Sequence, residues 1–187
     1  MIHSFRFVLT RPILRRLSDL AKDKRGVSAV EFALVLPLML TMFFGGVEVS
    51  QGISIDRKVT LTARTVADLV SRVATINTAG VDAALGASAT ILAPYPIDNA
   101  KITVSVVKID ANGTATIVWS NAKNGAAHAP GSGVTVPLAL KTPNTFLVWG
   151  EASYSYAPTI GYVLTGTMPL TDQIFMRPRL SETVTKT

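Results

Sequence analysis

The feature that most constrains this chain is an uncharged apolar run from Phe32 to Val47. The hydrocarbon core of a bilayer takes about 20 helical residues at about 1.5 Å each, so this run alone is short. Extended back to Val27, the segment is long enough. Its one acidic residue, Glu31, lies near an end, where a carboxylate in lipid is less costly than at the centre. We therefore predict a transmembrane helix over residues 27–47.

Two other interpretations of this span stay open. A buried core helix is disfavoured because the run has no polar stripe at the helical period. A cleaved secretory signal is disfavoured because its apolar stretch usually covers only about 7–15 residues. A small-x-small sequence at Ser50-Gln51-Gly52 would nevertheless suit such a cleavage, and the product would be a secreted protein that starts near Ile53.

Charge is concentrated before the span. Residues 1–25 hold seven of the 18 Lys and Arg residues but only two acidic ones, whereas the rest of the chain is close to neutral. Because basic flanks stay in the cytoplasm, we expect a cytoplasmic N-terminus and an extracytoplasmic remainder. The basic pI belongs to residues 1–26 and does not indicate a nucleic-acid partner. The basic residues nearest the span are Lys22, Lys24 and Arg25.

A helical period continues after the span and predicts an amphipathic helix over residues 48–76. Asn77–Gly80 reads as its stop signal, and residues 77–187 as a separate head. The apolar residues of the predicted buried face are Val49, Ile53, Val59, Ala63, Val66, Ala67, Val70 and Val73.

The head changes from a helical to a strand pattern after Pro94 and Pro96. Val81–Leu92 suits a short helix, Asp110–Gly113 a hairpin turn, and 121–133 a mobile loop. The fold class predicted is α+β, with the long N-terminal helix packed on a small antiparallel sheet. Strands are predicted at 102–107, 114–120, 145–156 and 173–177, with 134–140 either a short strand or a segment flanking a turn.

The junction before the span carries a motif. It reads Lys24-Arg25-Gly26-Val27-Ser28-Ala29-Val30-Glu31-Phe32: basic residues, a glycine, four residues, then Glu and an aromatic that open an apolar helix. This resembles the processing motif of type IV prepilin-like proteins. With the early Pro37 and the Gly-rich helix end followed by Glu48, residues 23–71 look like TadE-like pseudopilins of the tight-adherence (Tad/Flp) pilus system. Two later segments resemble the closing part of that family, Tyr154–Pro158 and Met176–Arg179.

The resemblance implies a processed membrane protein. A prepilin peptidase would cut after Gly26, leave Val27 as the new N-terminus and place Glu31 and Phe32 at the start of the mature helix. The partners implied are the bilayer, the peptidase, other pilin or pseudopilin subunits and the Tad assembly platform. The location implied is the bacterial inner membrane, with the head in the periplasm or in a surface pilus.

The large head is the main departure from the very short major pilins of that system. It suggests a minor, initiating or tip subunit, or an assembly accessory. The alternative is a signal-anchored TadG-like or other binding and adhesion module whose leader is never removed.

Glu31 has two open interpretations. Its carboxylate could pair with the freed amino group of Val27, in its own chain or a neighbouring one, and so fix the axial register of packed helices. Alternatively, it lies at the lipid interface and serves only as part of the peptidase motif.

Enzymatic chemistry finds little support in the residues. The chain has no cysteine and only two histidines, so we expect no metal, no cofactor and no thiol nucleophile. Ser153 and Ser155 lack a nucleophile elbow, and His128 has no patterned acid partner. The Asp110 turn lacks the glutamate that a calcium loop needs twelve residues on. Trp119 and Trp149 are expected to anchor a core or an interface. We expect no catalytic residues and a protein that is not an enzyme.

Overall fold

The computed structural model describes residues 25–158 and 166–187. The predicted basic flank at Lys22 and Lys24 lies outside these residues. The chain divides between Gly45 and Gly46 into two compact units. The second unit, residues 46–187, contains the head.

Helix α1, Arg25–Ser71, runs from the candidate processing motif into the head and contains Pro37. Within the head, its buried stripe follows the 3.6-residue period through Ile55, Val59 and Val66. The prediction that Val49 and Ile53 belong to this buried face was wrong, since they are 44% and 51% exposed. The buried stripe instead continues back through Gly52 and Glu48, each one position before an exposed residue of the predicted face.

Helix α1 ends at Ser71, five residues earlier than predicted. The next residues are rich in β-branched side chains and include a short strand, β1 (Thr75–Ile76). This strand pairs in parallel with β6 (Thr185–Lys186) at the end of the chain. The C-terminal segment thereby provides hydrogen-bond partners for backbone groups of β1 that would have bonded within α1 if the helix had continued.

Helix α2, Thr78–Leu92, confirms the short helix predicted here. Its N-cap is Asn77, whose side-chain Oδ1 accepts a hydrogen bond from the Gly80 N–H at 2.8 Å. The segment 77–80 therefore begins the second helix. It lies six residues beyond the end of the first.

Four antiparallel strands form the main sheet in the order β3-β2-β4-β5. The predicted strand 145–156 is confirmed, whereas the last predicted strand starts earlier, at Met168. The hairpin between β2 and β3 is also confirmed, with Gly113 at φ 80°. The strands are β2 (Ala100–Ile109), β3 (Ala115–Lys123), β4 (Thr145–Tyr156) and β5 (Met168–Met176).

The sheet buries its two faces differently. One face packs against α1 and α2 through a continuous apolar cluster that includes Val104, Val148 and Tyr154. The opposite face holds a smaller cluster around Leu147 and Trp149. Residues 134–140 belong to this second cluster as a turn-flanking segment ending in a 3₁₀ turn, rather than as a strand. The predicted fold class, a long helix packed on an antiparallel sheet, is confirmed.

Candidate processing site and membrane segment

The motif residues lie in the first two turns of α1. Gly26, Val27, Glu31 and Phe32 are all exposed, and Arg25 is the first residue of the helix. The side chains of Val27, Glu31 and Phe32 therefore do not contribute to a core within the described part of the chain. Their chemistry is available to a membrane or to another protein.

Gly26 is a glycine that its own fold does not require. A Cβ placed on Gly26 would meet no atom within 4 Å, and the residue does not have a positive φ. Inside a helix, glycine is about 1 kcal/mol less favourable than alanine, and only proline is worse. Neither packing nor backbone conformation in this fold thus explains why position 26 is a glycine.

Glu31 lies one helical turn after Val27, so the two residues are neighbours on one side of α1. Side chains four residues apart on a helix have Cβ atoms about 5–6 Å apart. A free amino group at position 27 would be the backbone nitrogen at the N-terminus of the helix, the end toward which the Glu31 side chain tilts. This geometry allows the pairing.

The apolar stretch of α1 presents its side chains outward. Leu34 is 76% and Met42 is 71% exposed, and the most apolar window has a mean hydropathy of 2.1 with none of its residues buried. Among the described residues, α1 is the one helix long and apolar enough to cross a membrane. The hydroxyl of Thr41, the one polar side chain in this run, donates to the Pro37 carbonyl at 2.8 Å. Such internal satisfaction suits lipid, where an unpaired hydroxyl is costly.

The histidine of the head has the acid partner that the sequence did not reveal. His128 Nε2 lies 2.5 Å from Glu151 Oε2, and the imidazole stacks on Trp149 with ring centroids 4.8 Å apart. The backbone N–H of His128, rather than its ring, bonds the Ser120 hydroxyl at 3.1 Å. These contacts fasten the loop that the sequence predicted to be mobile, since they hold it against β3 and β4.

Both tryptophans are structural anchors, as expected. Trp119 is buried, and its indole N–H donates to the Val184 carbonyl at 2.8 Å. Trp149 stacks on Phe175 as well as on His128, and its indole N–H donates to Gln173 Oε1 at 3.0 Å. Each indole thus has a hydrogen-bond partner, as buried tryptophans usually do.

The Asp110 carboxylate is occupied by its own turn. Its Oδ1 accepts hydrogen bonds from the backbone N–H groups of Asn112 and Thr114 at 2.9 and 2.7 Å. This is an Asx-type turn, a common use of aspartate before a hairpin. Among the described residues, no group of three His, Asp or Glu side chains is arranged to hold a metal ion.

The C-terminal segment is bound to the end of α1, a feature that sequence reasoning missed. Arg179 pairs with Asp68, which also pairs with Arg72 at 2.5 Å. The Arg179 backbone N–H donates to the Ser71 carbonyl at 2.8 Å. No strand was predicted in this segment, because Thr185–Lys186 is too short to show a period. The alternation of threonine with Val184 and Lys186 was the one feature of the sequence that could have indicated a strand here.

A comparison with protein families matches residues 26–68 to a family described as TadE-like protein. Residues 26–68 of this chain are similar to that family. The match begins at the motif glycine, contains the whole apolar stretch and ends at Asp68, the residue that Arg179 contacts. The two later segments that resemble the family's closing part lie outside the match. No curated protein and no solved structure matches the chain.

Proposed function

We propose that this chain is a minor pseudopilin that acts in assembly, or as an initiating or tip subunit, of a Tad-type adhesive pilus. The observation that carries the proposal is the TadE-like segment at 26–68, which joins the processing motif to a helix of membrane-spanning length. A TadE-like segment associates the chain with a Tad pilus system. The narrower role is inferred from the large head and from the chemistry of the motif.

Processing is the first step of the proposed mechanism. A membrane prepilin peptidase cuts after Gly26 and releases the basic leader. In support, Gly26 is exposed, and the space around it in the fold would accept a side chain. A narrow protease cleft supplies a reason for the glycine that the fold does not, because a residue without a Cβ lets the backbone approach closely.

Insertion precedes the cut. The basic flank at Lys22, Lys24 and Arg25 keeps the leader in the cytoplasm and places the head in the periplasm. The site between Gly26 and Val27 then lies at the cytoplasmic face of the inner membrane, where a membrane peptidase can reach it. The same charge bias disfavours the opposite orientation.

Lateral packing follows. The exposed apolar surface of α1 between Phe32 and Val47 contacts other pilin or pseudopilin helices in the bilayer, and the assembly platform receives the subunit. In lipid, a carboxylate gains most from a neighbouring positive charge. The amino group of Val27, freed by processing, supplies that charge to Glu31 in the same or an adjacent chain.

The proposed role is structural and not enzymatic. His128 is engaged with Glu151 and stacked on Trp149, and Asp110 is engaged with its own turn. The head instead offers a folded body of more than a hundred residues. Such a body suits a subunit that starts or caps a filament better than one that repeats along it.

The test is complementation in a bacterium that carries this chain within a Tad system. The gene is deleted and restored as wild type, as Gly26→Val or as Gly46→Val. Gly46 is the matched control because it is also a helical glycine with no atom within 4 Å of a built Cβ. We expect surface pili with the wild type and Gly46→Val but not with Gly26→Val. Normal piliation of the deletion strain would contradict the assembly role. Pili with Gly26→Val would contradict the need for processing and favour a signal-anchored module.

A further inference from the structure

Three segments of the head meet where α1 enters it. The Tyr156 hydroxyl donates to the Glu48 carbonyl at 3.1 Å, and a Cβ on Gly52 would lie 3.5 Å from the Tyr156 ring. The Tyr95 ring packs edge-on against Tyr154, with centroids 6.3 Å apart. The start of α1 within the head, the turn around Tyr95 and the end of β4 therefore form one surface, here called the tyrosine end.

The tyrosine end contains an uncharged groove. Its volume is about 410 Å³, and its lining combines tyrosine and proline with small polar residues. Its members include Gln51, Pro94, Tyr95, Pro96, Ser155 and Ala157. None of the groove's lining residues is Asp, Glu, Lys or Arg. Water-exposed protein surface is normally interspersed with charge, so a charge-free aromatic groove points to an occupant other than water.

The absence of charge extends beyond the groove. Residues 49–55, 93–97, 153–158 and 166–171 contain no acidic or basic side chain. The last of these stretches includes the start of β5, which pairs with Tyr156 through Met168. The opposite end of the sheet carries Lys108, Asp110 and Lys141. At the tyrosine end, the nearest charges on the sheet are Lys101, which pairs with Ser153, and Asp172, which pairs with Ala152.

We propose that the tyrosine end is a membrane-contact surface that lies in the headgroup and glycerol zone of the leaflet from which α1 emerges. The proposal rests on the membrane span of the proposed function. Chain connectivity favours lipid over a protein occupant, because the predicted span ends at Val47 and Glu48 already belongs to this surface. Each interfacial zone of a bilayer is about 5–8 Å thick, the length of about four to five helical residues. Residues 48–52 have that length.

The side chains suit this zone. Tyrosine is enriched at membrane interfaces because its ring is apolar and its hydroxyl remains solvated or hydrogen-bonded. Lys58, the basic residue nearest the turn, donates its ammonium to the Ile91 and Ala93 carbonyls at 3.0 and 2.8 Å. It is therefore held against the protein. On α1 the uncharged stretch lies between Glu48, which is 2% exposed, and Asp56, and Asp98 follows the turn.

The chain has no cysteine, so single introduced cysteines can report depth in the membrane without background. Ser155→Cys and Ala157→Cys place an environment-sensitive fluorophore at exposed positions of the tyrosine end. Phe43→Cys reports the span, and Asn112→Cys reports the hairpin at the opposite end of the sheet. The full chain is reconstituted in phospholipid nanodiscs, with and without spin-labelled lipids that quench the fluorophore at the headgroup and upper acyl depth.

We expect quenching at Phe43→Cys, comparable quenching at Ser155→Cys and Ala157→Cys, and none at Asn112→Cys. Quenching of the Phe43 label alone would overturn the proposal while leaving the membrane span intact. No quenching at any site would instead refute the span, and with it the proposed function. A label at Ser155 that is shielded from water yet unquenched by lipid would show that protein covers this surface, which would also overturn the proposal.

Discussion

Helix α1 approaches the sheet closely at Gly150, in the middle of β4. A Cβ there would lie 2.5 Å from the Ala63 carbonyl oxygen and 2.9 Å from the Ala67 Cβ. The first of these atoms is backbone in the middle of a helix and cannot turn aside as a side chain can. Gly150→Ala therefore forces α1 away from the sheet, or β4 out of its register.

The expected cost follows from this geometry. Overpacking a well-packed core typically costs about 1–3 kcal/mol, and the lower entropy of the unfolded alanine chain offsets up to about 1 kcal/mol. We expect Gly150→Ala to lower the free energy of unfolding by about 2 kcal/mol. For a domain of this size, each kcal/mol shifts Tm by roughly 2–4 °C, so Tm should fall by about 4–8 °C.

The assay is thermal unfolding of the full chain in detergent, followed by tryptophan fluorescence. Both tryptophans, Trp119 and Trp149, lie in the head, so the signal reports the head rather than the membrane helix. The matched control is Gly86→Ala, a glycine inside α2 with no atom within 4 Å of a built Cβ. It should raise stability by about 0.5–1 kcal/mol because alanine is the better helix former.

A second variant separates the two close contacts. Gly150→Ala combined with Ala67→Gly removes the 2.9 Å contact but leaves the 2.5 Å contact with the Ala63 oxygen. Little rescue is therefore expected. A Tm for Gly150→Ala at or above the wild-type value would refute this description of the helix–sheet interface. Full rescue by Ala67→Gly would show that the side chain, and not the helix backbone, limits the approach.

Three further predictions concern single residues. Trp119→Phe leaves the buried Val184 carbonyl without its hydrogen-bond donor and should lower the free energy of unfolding by about 1–3 kcal/mol. Carboxypeptidase should then digest the C-terminus faster, and digestion at the wild-type rate would contradict the anchoring of the C-terminal segment by Trp119. Burial, and then the charge of Glu48, raises the pKa of Tyr156 above 10.0, so the folded state holds a proton that the unfolded state releases and stability falls as pH rises past 10. Denaturant titrations at rising pH should show a shallower loss for Tyr156→Phe, and equal slopes would contradict the assignment. Glu31→Gln should leave membrane insertion intact but reduce surface pili if its charge pairs with an amino group, and wild-type piliation would favour the interfacial interpretation.

The sequence predicted the parts of this fold in which a periodic pattern extends over many residues or a strong local signal occurs. The strand Thr145–Tyr156 is long and rich in β-branched and aromatic residues, and Asp110–Gly113 has the local chemistry of a turn. The phase of the head helix was misjudged at Val49 and Ile53 because apolar residues occur on both sides of α1 just after the span. Polar residues within the buried stripe, such as Thr62, blur the pattern further, and only the structure shows that its hydroxyl bonds the Lys58 carbonyl.

The missed features depend on contacts between residues far apart in the chain. Strand β6 has two residues, too few to show a period, and its pairing with β1 depends on where the C-terminus returns. The contact of His128 with Glu151 likewise joins a loop to a strand. At the candidate processing site, by contrast, the sequence motif carried the prediction. The structure adds that Gly26, Val27, Glu31 and Phe32 are exposed and that the fold itself makes no demand for a glycine at position 26.

The most direct test of the central claim is the N-terminus of the mature chain. Intact mass and N-terminal sequencing are measured on protein extracted from membranes with and without an active prepilin peptidase, for wild type, Gly26→Val and Gly46→Val. We predict that wild type and Gly46→Val start at Val27 and lose about 3 kDa of 19.9 kDa when the peptidase is present. Gly26→Val should keep its leader in both backgrounds. A wild-type chain that starts at Met1 with the peptidase active would contradict the account and leave a signal-anchored module, and a start near Ile53 would make the product a secreted protein.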